Sequence, residues 1–95
     1  MRIACKVDAC QSEIVKALRE SGATVTDLSK CGRGVPDLLV GYKLHNILLE
    51  LKVKGGQLTP QQKLWHGSWL GDVHVVYSAE EAVRTIKEVA HAYGK

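Results

Sequence analysis

The sequence has no apolar run approaching the ~18 residues that a membrane-crossing helix needs, so no membrane-spanning helix is indicated. Met1-Arg2-Ile3-Ala4-Cys5 is too short an opening for a signal peptide. Cysteine is scarce and badly placed for metal or disulfide work. Cys5, Cys10 and Cys31 make an odd count with no CxxC spacing, which argues against a disulfide framework and against zinc. The expectation is reduced thiols in an intracellular, cytoplasmic protein. Internal repeats and low-complexity segments are also lacking. So is a strong excess of one charge: thirteen basic against ten acidic residues leave a formal +3. That balance permits a nucleic-acid partner without establishing one.

What is there is one ordinary globular domain, residues 1–95, with 45% apolar and 24% charged residues. Residues 1–7 read as a short extended lead-in. Asp8 is a candidate N-cap with Gln11 at the capping-box position. A helix follows from about Ala9 to Ser21, with Cys10, Ile14, Ala17, Leu18 and Ser21 as its inner stripe and Gly22 ending it. Ala23 to Ser29 alternates as a first strand. Lys30-Cys31-Gly32-Arg33-Gly34 is a loop whose glycines let the backbone turn or approach a ligand closely. Leu38-Leu39-Val40 and Ile47-Leu48-Leu49 are continuous apolar runs, as expected of strands covered on both faces. Leu44-His45-Asn46 turns the chain between them.

Thr59 N-caps the next helix, with Pro60 at N1 and Gln62 completing a capping box. This helix runs to about Leu70, with Leu58, Trp65 and Trp69 on its apolar side. The two tryptophans are expected in the core, or else at a dimer contact. Val73, Val75, Val76 and Tyr77 form a last strand. Ser78 caps a final helix, with Glu81 at the capping-box position and Ala82, Val83, Ile86, Val89 and Ala90 buried. His45, His66, His74 and His91 do not cluster and read as surface or half-buried residues rather than ligands.

Charge stands where it is least expected, in GVPDLLVGYKLHNILLELKVKGG. In a strand, residues two apart share a face. Glu50 and Lys52 therefore point one way, and Leu49, Leu51 and Val53 the other. A hairpin lays Asp37, at the start of the preceding strand, beside them. Two carboxylates and one ammonium then share one edge of a sheet. From spacing alone this suits either a hydrolytic metal site or a structural ion pair of Lys52 with Asp37 or Glu50.

The pattern Pro36-Asp37, a spacer, then Glu50-Leu51-Lys52 resembles the PD-(D/E)XK nuclease superfamily. Gly55-Gly56-Gln57-Leu58-Thr59-Pro60-Gln61-Gln62-Lys63-Leu64-Trp65 is similar to the corresponding segment of the VRR-NUC family within it. The resemblance runs from about Glu13 to the last helix. It implies an α/β fold with a restriction-endonuclease-like core: a helix, three strands, a helix, a strand and a helix around a mixed four-stranded sheet. It implies Mg²⁺ or Mn²⁺ held by Asp37, Glu50 and the backbone carbonyl of Leu51. Lys52 would then act on the attacking water and the phosphate, and Gln62 would be a polar site residue, in competition with its cap. Glu13 is either a solvated acid or Lys16 partner, or the helix glutamate that many members aim at the metal. Lys30, Arg33, Lys54 and Lys63 are the expected DNA contacts, positioning phosphates without reading sequence. The implied activity is a metal-dependent DNA endonuclease of phage or bacterial type, resolving four-way (Holliday) junctions as a homodimer. A flap or RNA nuclease, and a silent DNA-binding or dimerisation module, are the alternatives.

Overall fold

The structure is a computed structural model and describes residues 7–93. The lead-in expected at the start of the chain, and the side chains of Asp8 and Cys10, lie outside what is described. Helix α1 (Val7–Glu20) is followed by strands β1 (Thr24–Asp27), β2 (Leu38–Tyr42) and β3 (His45–Leu51). Helix α2 (Pro60–Ser68), strand β4 (Val73–Val76) and helix α3 (Ala79–Tyr93) complete the chain. The expected order of elements is borne out. They form a mixed four-stranded sheet, β1-β2-β3-β4, flanked by helices. Among the described residues no helix is long and apolar enough to cross a membrane.

Local chemistry sets the element ends. Helix α1 is already helical at Val7, so Asp8 lies within its first turn rather than before it. Its far end closes at Gly22, whose φ of 99° suits a residue without Cβ. The Ala23 N–H donates to Leu18 O and the Gly22 N–H to Arg19 O, which is the Schellman arrangement. Strands β1, β2 and β3 are antiparallel neighbours. Strand β4 runs parallel to β3, so the chain must cross over between them, and α2 lies on that crossover.

The hairpin tip differs from the expectation. Tyr42 pairs with His45, so the loop is Lys43-Leu44 alone, and His45 and Asn46 belong to β3. Lys43 and Leu44 both have positive φ, 48° and 70°, as a two-residue primed turn demands. Neither residue favours that conformation, which is why the sequence carries no turn signature there. His45 is therefore off the tip, half-buried with its ring 6.0 Å from that of Tyr93.

The two faces of the sheet are covered unequally. One face carries Leu38, Val40, Tyr42, Ile47, Leu49, Leu51 and Val76, packed with Ile14 and Leu18 of α1 and Ala82, Ile86, Val89 and Ala90 of α3. The expected α3 stripe is borne out, with Val83 at its margin. The other face lies under α2, which buries none of its own residues. Strand β3 is buried on both faces, but β2 on one only: Leu39 stays exposed between buried Leu38 and Val40. The two tryptophans are likewise outside the core. They stack with ring centroids 4.7 Å apart, and Trp69, at the C-cap, is 46% exposed. Together with Leu28, Val35, Leu39 and Leu48 they line an open apolar groove. A short helix over a wide sheet covers too little of that face to enclose them.

Candidate active site

The pairing register brings the charged residues together. Leu38 lies opposite Leu49, so one step further along the same antiparallel register sets Asp37 opposite Glu50. Directly opposed residues carry their Cβ atoms about 4.5–5.5 Å apart. Alternation puts Leu38 and Leu49 on the core face and turns Asp37 and Glu50 towards α2. Lys52 follows on the Glu50 side, its backbone N–H donating to Val76 O at 3.0 Å just beyond the end of β3. The Leu51 side chain is buried in the core, so only its backbone faces the site. There its N–H donates to Asp37 Oδ2 at 2.8 Å.

Glu50 is the centre of this arrangement and, among the described residues, the one charged residue that is buried, 2% exposed. Its Oε2 accepts from the Gln62 side-chain amide at 3.2 Å and lies 3.8 Å from Lys52 Nζ. Its carboxyl is pushed up to about 8, first by burial and then by the neighbouring Asp37 carboxylate. Lys52 pulls the other way, but less. The lysine therefore does not neutralise the pair, and the Lys52–Glu50 contact is too long for a tight, satisfied ion pair.

Gln62 reconciles two roles that competed in the sequence. Its carbonyl oxygen accepts from the Thr59 N–H at 2.9 Å, and Thr59 Oγ1 accepts from the Gln62 N–H at 3.1 Å, completing the capping box. Its amide nitrogen remains free to donate to Glu50. The two ends of one amide serve the cap and the site together.

Helix α2 is seated by the loop before Asp37. Gly34 is buried with φ 83°, and a Cβ there would stand 2.6 Å from Gln61 O. The close approach the glycines permit is thus to the α2 backbone. Leu28 N–H donates to Asp37 O at 2.7 Å and closes the loop.

His66 reads from the sequence as a surface or half-buried residue rather than a ligand, and the structure sets it at the site. It lies on α2, four residues after Gln62 and therefore on the same helix face. It is half-buried, and its Nε2 stands 3.6 Å from Glu50 Oε1. Both atoms are buried and neither has a hydrogen-bond partner. Burial, and then the charge of Lys52, hold the imidazole below its ordinary pKa. With Glu50 pushed up, the contact is not an ion pair, and 3.6 Å is too long for a hydrogen bond. The i+4 spacing from Gln62 was the available signal.

The remaining expected residues lie further out. Glu13 is exposed on α1, which packs chiefly against α3 and β1, and it makes no ion pair among the described residues. Lys30, Arg33, Lys54 and Lys63 are all exposed. Lys30 shares a groove with Lys16 and Arg19 of α1. Arg33 sits in the loop with φ 59°. Among the described residues no group of three or more His, Cys, Asp and Glu side chains is set to hold a metal ion. The donor set that fits a cation is smaller: the carboxylate pair, with a buried Glu50 oxygen left without a partner. A small set of protein donors suits Mg²⁺, which keeps several of its waters.

No protein-family model, no curated protein and no solved structure matches the chain.

Proposed function

We propose that the chain is a metal-dependent endonuclease with the restriction-endonuclease-like core of the PD-(D/E)XK enzymes, cutting phosphodiester bonds in DNA. The observation that carries this reading is the opposition of Asp37 and Glu50 across the β2–β3 pair, with Lys52 beside them. Two carboxylates pressed together by burial, and incompletely offset by one lysine, are arranged for a cation. Asp37 and Glu50 would hold Mg²⁺ or Mn²⁺, with the Leu51 carbonyl as the third protein ligand. Such an ion, when bound, supplies acidity to the attacking water and positive charge to the phosphate. Lys52 donates hydrogen bonds to that water or to a phosphate oxygen. Gln62 holds Glu50 in place through its amide.

The exposed lysines and Arg33 contact phosphates. Phosphate contacts position DNA without reading its sequence, so recognition rests on DNA shape. A four-way junction cut symmetrically by a homodimer is the substrate that suits a pair of such sites.

Cleavage of a four-way junction, a flap, a linear duplex and a single strand with Mg²⁺ or Mn²⁺ tests the reading, with Asp37→Ala as control. The expected result is paired symmetric cuts in the junction that the variant lacks. Lys52→Ala should keep junction binding and lose cleavage, by about 10²-fold or more. Cuts in flaps or single strands alone would keep the chemistry and replace the substrate. A folded protein that cleaves none of these with either metal overturns the enzyme reading in favour of a binding module.

A further inference from the structure

We propose that His66 is a ligand of the site's cation, its Nε2 binding the ion together with Glu50 Oε1, so that the site prefers Mn²⁺ or Co²⁺ to Mg²⁺. This rests on the metal-dependent reading above and adds a residue to it.

The geometry suits two donors to one ion. Glu50 Oε1 and His66 Nε2 are both buried without a hydrogen-bond partner. They lie 3.6 Å apart. With donor–metal bonds of about 2.0–2.2 Å, adjacent ligands of one ion stand about 3.0–3.5 Å apart. The pair therefore needs to close by only a few tenths of an ångström. The second oxygen of Glu50 is already committed to Gln62 and Lys52, which leaves Oε1 as the free donor. Gln62 and His66 sit one turn apart on α2, so one helix face both orients the glutamate and supplies the nitrogen.

His74 provides the contrast. Its Nε2 also stands 3.6 Å from a carboxylate, that of Asp72, but these side chains are 36% and 28% exposed. Of that pair only the histidine nitrogen is both buried and unbonded. Among the described residues, the Glu50–His66 pair alone has both facing atoms buried and unbonded. An imidazole nitrogen beside a carboxylate favours transition ions over Mg²⁺, which prefers an all-oxygen shell.

Titration of the purified protein with Mn²⁺, reading free ion by electron paramagnetic resonance, tests this without any cleavage assay. Mg²⁺ is measured by competition, and circular dichroism checks each variant's fold. His66→Gln should weaken Mn²⁺ binding at least tenfold and Mg²⁺ binding less than threefold, with His74→Gln unchanged. Asp37→Ala should also weaken Mn²⁺ binding. Mn²⁺ binding by His66→Gln equal to wild type, as a bridging water in that gap would give, overturns the proposal. If Asp37→Ala binds as wild type while His66→Gln does not, His66 stands as a ligand and the carboxylate-pair reading falls. A wild-type protein that binds no Mn²⁺ overturns both. Should His66→Gln fail to fold, nitrogen-15 resonances of the wild-type histidine rings during Zn²⁺ addition decide instead. The His66 Nε2 signal must move, and an unmoved signal overturns the proposal.

Discussion

The two faces of this sheet are built from the same strands and do opposite things. The face under α1 and α3 carries the buried apolar cluster that forms the core. The face under α2 holds a buried carboxyl and an exposed leucine, beneath a helix that buries nothing of its own and carries the stacked tryptophan pair. One face supplies stability and the other tolerates groups that cost stability. A carboxyl as buried as Glu50 is affordable because β3 is held from behind by Leu49 and Leu51. The lesson is that a site residue can be deeply buried in a small domain when the opposite side of its own strand is the core.

The largest test of that division is a pair of leucine truncations. Leu49→Ala removes a fully buried side chain from the core face and should cost about 2–5 kcal/mol. Leu39→Ala, on the exposed neighbouring position, should stay within about 0.5 kcal/mol. Urea unfolding of both variants makes the comparison, and equal losses would mean that the α2 face carries as much of the core as the other.

Next in size is the pH response of Glu50. Its folded pKa of about 8 lies above the ordinary 4.5, so the folded chain keeps a proton that the unfolded chain releases as pH rises between those values. The stability tied to that proton is complete below 4.5 and is lost as pH climbs through about 8. With chelator present, Glu50→Gln should match wild type near pH 4.5 and exceed it at pH 9, by an amount on the order of a few kcal/mol. Thermal unfolding across that range reads the difference. Parallel curves would show that Glu50 ionises without penalty, which would remove the main cost assigned to this face.

The smallest effect sharpens the role of α2. Gly34→Ala forces a Cβ towards Gln61 O at a positive φ and should cost about 1–2 kcal/mol. Because α2 carries the tryptophans, its displacement should also change indole emission. A variant of unchanged stability and emission would show that the loop does not seat the helix.

Much of the fold was legible in the chain because local periodicity and local caps carry it. The Thr59-Pro60-Gln61-Gln62 start, the Gly22 stop and the α3 stripe are short-range features, and each stands where the residues indicate. The meeting of Asp37, Glu50 and Lys52 was legible too, since a two-residue period and one hairpin suffice to place them. The hairpin's own tip was not. Lys43 and Leu44 adopt positive φ against their preference, and only the pairing of Tyr42 with His45 compels it.

By itself, then, the sequence determined the order of elements, the inward stripes of α1 and α3, and the face shared by Glu50 and Lys52, because those follow from neighbours a few residues apart. The tertiary structure alone decided what lies over that face. It set α2 at a distance that lets one Gln62 amide serve both cap and glutamate. It brought His66 to within 3.6 Å of Glu50, and it left the tryptophans in an open groove. Those outcomes depend on how a crossover helix sits on a sheet, which is a matter of non-local packing and cannot be read from spacing along the chain.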